Sequence, residues 1–334
     1  MRAQLQTDLA PDRTDQEIDD SIARLEEKYH AFAGDADGHR SSNAAPMPQG
    51  AMDWERNQVA LALARLYGKR DRWPAAHTLL KDTIHRLTPD RTLQLGRLGL
   101  YVRCAQAERH IAFAAGGQPC RKGLVAALKS AELGLRIDPL TSAGRREAGR
   151  IHFALGQFTD AIEAWTQALS LIPNDPFLYL KLGVCHWKIG EQRQSALASR
   201  RAALENAKAC FEEAQILSGS EYKEGKAWAH VWLGRVFIEQ RELEEAIGHL
   251  SSAAAFDCTR FAAKVLISQA FTAARRYGAA RTALLSAIRE RPAADDNGNW
   301  LPGNDAEYVE DLTPQALRRR ARTGLYALIV RGRS

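Results

Sequence analysis

The chain is short of the residues that mark several common classes of protein. Only five of its 334 residues are cysteines, at 104, 120, 185, 210 and 258. Their number is odd, no two form a CxxC pair, and none stands in a Cys/His cluster at zinc-finger spacing. A disulfide framework and a zinc-finger array are thereby excluded, and reduced, mostly buried thiols are expected. No apolar run approaches the roughly 20 residues that a bilayer demands, and mean hydropathy is −0.36. The opening MRAQLQTDLAPDRTDQEIDD lacks the basic start and apolar block of a secretory signal. The chain therefore reads as cytoplasmic, with no membrane partner.

The signatures of catalysis are missing as well. There is no phosphate-cradling Gly-rich loop, no GxSxG and no HExxH. No Cys/His or Asp/His group has a spacing that one helix would bring together. His77 and His85, and Cys185 beside His186, are the residual candidates, but each lies inside a helical stretch where a packing role is expected. Accordingly no catalytic residue, cofactor or metal ligand is expected, and neither is an enzyme.

What the chain does have is enough apolar residue, 45%, to build a core, and a charge pattern that its total of +6 conceals. Residues 1–50 carry 5 basic and 10 acidic side chains, a net of −5, and 51–294 carry 35 and 24, a net of +11. Then 295–312 carry 6 acidic and no basic residues, and 313–334 carry 6 basic and no acidic ones. A basic body between acidic segments calls for an acidic partner, inside or outside the molecule.

Self-similarity organises that body. From residue 142 the sequence runs Ala148-Gly149, Gly156, Phe158, Asp160-Ala161-Ile162, Trp165, Ala168 and Pro173, and the same spacing recurs. Residues 57–90 match with Leu63-Ala64, Tyr67, Trp73, Ala76 and Leu80. Residues 227–260 match with Leu233-Gly234, Phe237, Leu243, Ala246-Ile247, Leu250 and Ala253. Residues 261–294 match with Ile267-Ser268, Phe271, Tyr277, Ala280, Leu284, Ala287 and Pro292. Two antiparallel helices can cross closely only where small residues face each other, and large residues fill the space left between them.

Two further copies need insertions between their helices. One, from about 92, has Leu95, Leu98-Gly99 and Val102, with its second-helix signature Ala127, Ala131, Gly134 and Asp138-Pro139 arriving late; its turn is expected at Gly116-Gly117-Gln118-Pro119. The other, from 176, has Tyr179, Leu182-Gly183 and Gly190, with Ala207, Phe211 and Ala214 late. A long helix from about Gln192 to Leu217 is expected there, since that stretch holds neither Gly nor Pro.

These motifs resemble the tetratricopeptide repeat (TPR) over about 57–294. The resemblance implies an all-α fold, a right-handed α-solenoid of about six helix pairs. It also implies a concave groove lined by first helices that binds extended protein segments. In that family the second, fifth, ninth, twelfth and thirteenth positions of a repeat face the groove. Carried over, they give Arg65 and Lys69, then Arg103, then Arg146, Arg150 and Phe153, then Phe177, Trp187 and Lys188, and lastly Trp228, Arg235 and Ile238. Glu239 is the one acid among them, and the Asn of the family's carboxylate-binding members has no counterpart.

The domain plan that follows has an amphipathic helix region at 1–33, a flexible linker at 34–52 and the repeat array at 53–294 with insertions in repeats two and four. An acidic loop at 295–312 and a basic capping helix at 313–334 complete it. Within the first region Ile18, Ile22, Leu25, Tyr29 and Phe32 form one stripe. The stripe must dock, either as a cap on the first repeat or as a placeholder in the protein's own basic groove. Two functions suit the array. One is a non-catalytic protein–protein interaction scaffold, or adaptor, whose basic, aromatic-lined groove takes an acidic, partly apolar segment of a partner. The alternative is a nucleic-acid-associated subunit, with phosphates on the groove and on Arg318-Arg319-Arg320-Ala321-Arg322 and bases on Trp187 and Trp228, or a regulatory subunit of an enzyme.

Overall fold

A computed structural model describes residues 14–34, 49–86, 94–114, 119–192, 197–219, 222–289 and 318–325. Every regular element among them is a helix. In chain order these are α1 (Asp15–Gly34), α2 (Gln49–Lys69), α3 (Trp73–Arg86), α4 (Gln94–Phe113), α5 (Arg121–Ile137), α6 (Ser142–Ala154), α7 (Phe158–Leu171), α8 (Pro176–Glu191), α9 (Leu197–Leu217), α10 (Lys223–Gln240), α11 (Leu243–Ala254), α12 (Asp257–Ala273) and α13 (Tyr277–Arg289). Residues 318–325 are helical too. The chain divides into two compact units, Met1–Gln157 and Phe158–Ser334, so the boundary falls inside the expected third repeat.

The register of the four regular repeats is written in the backbone. Asp71, Gly156, Arg241 and Arg275 stand at the same position of repeats starting at 57, 142, 227 and 261, and all four have positive φ, of 53°, 76°, 67° and 60°. That left-handed residue ends the first helix and turns the chain into the second. Three of the four are not glycine and hold the conformation against their own Cβ.

In the first unit α2 packs on α3, α3 on α4 and α4 on α5, and the first helices α2, α4 and α6 lie side by side. Helix α1 joins them. Its stripe of Ile18, Ile22, Leu25, Tyr29 and Phe32 is buried in one core with Val59, Leu63, Leu66 and Leu80 of the first helix pair. Polar contacts fix its orientation: Arg70 bonds Asp19 at 2.9 Å and Asp15 at 2.8 Å, Tyr67 donates to Glu26 at 2.5 Å, and Arg56 donates to the Phe32 carbonyl at 2.7 Å. Of the two expected dockings, the cap is the one observed. Helix α1 runs to Gly34 and α2 begins at Gln49, both inside the expected linker, and residues 35–48 lie outside the described ones.

In the second unit α8 packs on α9, α10 on α11, α11 on α12 and α12 on α13. Asp175 caps α8, accepting from the amides of Phe177 at 2.9 Å and Leu178 at 3.3 Å, with Pro176 opening the helix. Small residues allow the close crossings: a methyl on Gly183 would overlap the Phe211 ring, and one on Gly234 would overlap Leu250. The late signatures of repeats two and four are in place, with Ala127, Ala131, Ala207, Phe211 and Ala214 all fully buried. Helix α9 is described from Leu197; residues 193–196, where its start was expected, lie outside the described ones, as does most of the turn expected at 116–119. The acidic loop 295–312 and the ends of the last helix also lie outside them. Within 318–325, Ala321 is buried and Gly324 comes within contact of Leu284.

Candidate partner-binding site

First helices carry the expected groove residues, and burial sorts them into two groups. Arg65 and Lys69 are exposed on α2, Arg103 is half-buried on α4, and Arg146 and Arg150 are half-buried on α6. All five belong to the first unit. Phe153, Trp187, Trp228 and Arg235 are buried, which corrects their expected place on an open groove wall. Helix-face projection gives direction but not depth, and these large side chains sit where neighbouring helices close over them.

The second unit shows how. Trp228 is fully enclosed, and Trp187 at 3% exposure packs edge-on against Trp232, whose ring stacks on Phe211. The Arg235 guanidinium lies 4.9 Å from the Trp187 ring and 4.6 Å from the Trp232 ring, a cation–π sandwich that the Glu191 carboxylate approaches at 3.9 Å. Lys188 pairs with Glu191 at 2.9 Å, and Phe177 meets Tyr222 edge-on. Arg235 and the indoles hold helices together, while Lys188 and Glu191 both stand on α8. Of the aromatic residues expected to line the groove, only Phe177 stays half-buried; Phe153, Trp187 and Trp228 are enclosed.

The first unit keeps its basic face, and adds two residues that the projection missed. Glu147, at 3% exposure, accepts from Arg109 Nε at 2.7 Å and from Arg150 Nη1 at 3.1 Å, while Arg109 is itself buried. Burial alone would raise the Glu147 carboxyl, but Arg109 and then Arg150 outweigh it and bring the pKa down to about 2. Around this pair the cations crowd one another. Arg103 donates to Gln106 at 2.6 Å, and its pKa falls to about 10, through burial first and then through the charge of Arg65, with Arg150 adding to it and Glu147 opposing. Burial is the larger cause, and the neighbouring guanidiniums add to it. On the side where α4 packs on α5, Arg97, Tyr101, Leu133, Arg136 and Ile137 line an open cleft of about 290 Å³.

A different grouping lies between α3 and α4. His77 and Lys81 are one helical turn apart on α3, as are Cys104 and Glu108 on α4, and the two pairs face each other. Single donor atoms of His77, Cys104 and Glu108 all lie within 4.8 Å of one another. Spacing along the chain hid this set, because its members come from separate helices; only the two i, i+4 pairs were there to be read.

The family model for the TPR repeat matches residues 149–190. Among solved structures, the apo form of RapI is similar over 98% of this chain and 87% of its own, at 13% identity and a TM-score of 0.56. The C-terminal part of a TPR repeat-containing protein from Cytophaga hutchinsonii is similar over 84% and 96%, at 12% identity and 0.52. The human IFIT1 dimer with m7Gppp-AAAA is similar over 95% of this chain and 65% of its own, at 15% identity and 0.54. At such identities the likeness is one of fold. No curated protein matches the chain in sequence.

Proposed function

For a chain that carries a TPR repeat and has the helix-pair fold of TPR proteins, we propose a cytoplasmic, non-catalytic adaptor whose basic face in the first unit binds an acidic, partly apolar segment of another protein. Arg65, Lys69, Arg103, Arg146 and Arg150 form that face. The observation that carries the reading is the crowding of Arg65, Arg103 and Arg150, three guanidiniums on three successive first helices whose mutual repulsion is felt at Arg103. An anionic ligand relieves that repulsion, and guanidinium forks match carboxylates in geometry as well as charge. With Trp187 and Trp228 enclosed, the stacking platform that a single-stranded nucleic acid would need is gone, and protein is favoured over nucleic acid as the partner.

The test is a quantitative pull-down from native extract with the full chain, comparing wild type with the double variant Arg65→Glu, Lys69→Glu. Both positions are exposed, so melting should move little. Partners held by the basic face should be depleted at least about tenfold, which corresponds to roughly 1.4 kcal/mol. Equal recovery by the two proteins would refute the reading. Recovery that vanishes on nuclease treatment, with a steep dependence on salt, would favour nucleic acid instead.

A further inference from the structure

We infer that His77, Cys104 and Glu108 form a binding site for a borderline-soft divalent cation of the Zn²⁺ class, clamping α3 to α4. The three side chains supply a nitrogen, a sulfur and an oxygen donor, the mixture that zinc accepts and that magnesium or calcium does not. They come from two packed helices, each offering two side chains a turn apart, the way helix bundles assemble metal sites from facing helices. Donor atoms of a tetrahedral site with bonds of about 2.0–2.3 Å stand roughly 3.3–3.8 Å apart. His77 Nε2 and Glu108 Oε1 are already 3.3 Å apart, and the full set closes within 4.8 Å, so small side-chain rotations complete it.

Two observations point to a missing cation. The first is Glu108 Oε2, which has no hydrogen-bond partner although the side chain is only 10% exposed. A carboxylate oxygen left bare in the interior is costly, and native structures seldom leave one. The second is Lys81, whose ammonium lies 3.1 Å from Glu108 Oε1. An ammonium thus already takes the position beside Glu108 that a metal ion would share with His77. Lys81 is 42% exposed and can swing out to solvent, giving up its place to a metal ion.

Cys104 is fully buried. Metal binding exchanges its S–H bond for a sulfur–metal bond and releases that proton to solvent. His77 is 32% exposed, which leaves an entry path and a fourth position for water on that side.

The experiment adds Co²⁺, then Zn²⁺, to the reduced full chain freed of any affinity tag. One equivalent of Co²⁺ should give a thiolate-to-cobalt charge-transfer absorption with the visible bands of a tetrahedral ion, and Zn²⁺ should erase both. Excess Zn²⁺ should raise the melting temperature of wild type. Cys104→Ser should abolish the charge-transfer band. His77→Ala, at a partly exposed position that folding tolerates, should weaken Co²⁺ binding by about 100-fold or more. Lys81→Met should tighten it by removing the resident ammonium. Absence of the band in wild type, or its persistence at full strength in both Cys104→Ser and His77→Ala, would overturn the site. None of these readouts depends on the basic face, so the two proposals stand or fall separately.

Discussion

Glu147→Gln takes one charge out of a buried ion cluster while keeping its shape. In wild type the carboxylate accepts at 2.7 Å from Arg109 and at 3.1 Å from Arg150, and it is 3% exposed. Its displacement from 4.5 to about 2 is worth roughly 3 kcal/mol at 1.36 kcal/mol per unit. Breaking a buried pair by removing one partner costs about 3–5 kcal/mol, because the charge left behind has no compensation. Both routes give a loss near 3 kcal/mol. A unit of this size shifts by about 2–4 °C per kcal/mol, so the transition involving Met1–Gln157 should drop by about 6–12 °C. Thermal unfolding of the full chain at pH 7, followed by circular dichroism, measures it. A carboxyl whose folded pKa is depressed contributes stability above about pH 4.5 and loses it as pH falls toward 2. Wild type and variant should therefore converge in melting temperature across that window. Melting within 1 °C of wild type at pH 7, or an undiminished gap at low pH, would show that the cluster is not holding α4 to α6.

Three further outcomes follow from the same structure. Trp165, fully buried between α7 and its neighbours with Lys181 5.9 Å from its ring, should cost about 3–5 kcal/mol when changed to Ala, and a variant that melts like wild type would discredit the packing of the second unit. Arg241→Gly and Arg275→Gly should each stabilise by roughly 0.5–1 kcal/mol, since relief of left-handed strain, about 1–2 kcal/mol, exceeds the added freedom of the unfolded chain; a lower denaturant midpoint in either would contradict this. His230, 3.1 Å from His249 between their Nδ1 atoms, is held down to about 4 by burial and then by His249 and Lys226. Its contribution is complete above the ordinary value of 6.5 and is lost as pH falls toward 4, so calorimetry should show melting fall between pH 7 and 5, less so in His230→Gln. A pH-independent wild-type profile would negate that.

The helix pairs were legible because their spacing is a packing requirement. Ala64, Gly183 and Gly234 permit the crossings, Leu80, Phe211 and Leu250 fill them, and neither set tolerates displacement by one position. The insertions were legible for the same reason, since a late Ala127 or Ala207 is still the residue its crossing needs. The stripe of α1 showed that the helix must dock without showing where. Its docking depends on Val59 and Leu63, which are buried by α1 on one side and by their own repeat on the other, and a one-dimensional pattern does not separate those two duties.

The groove was half legible, and the reason bears on how it can be tested. The resemblance to the repeat family assigned Arg146, Arg150, Trp187, Trp228 and Arg235 to one kind of face, but Arg235 ends between two indoles and Arg150 ends on Glu147. Glu147 itself, adjacent to Arg146 in sequence, reads as one more surface acid until the structure places Arg109 against it. On α4 the same alternation recurs at close range: Arg103 and Arg109 belong with Arg65 and Glu147, while Cys104 and Glu108 turn toward His77 on α3. Reversing Arg150 would thus set a second carboxylate beside a buried one, and lost binding would report a damaged core as readily as a damaged surface. Arg65 and Lys69 stand clear of that cluster's buried pair, and it is at these two residues that charge can be inverted with the fold left standing as the control.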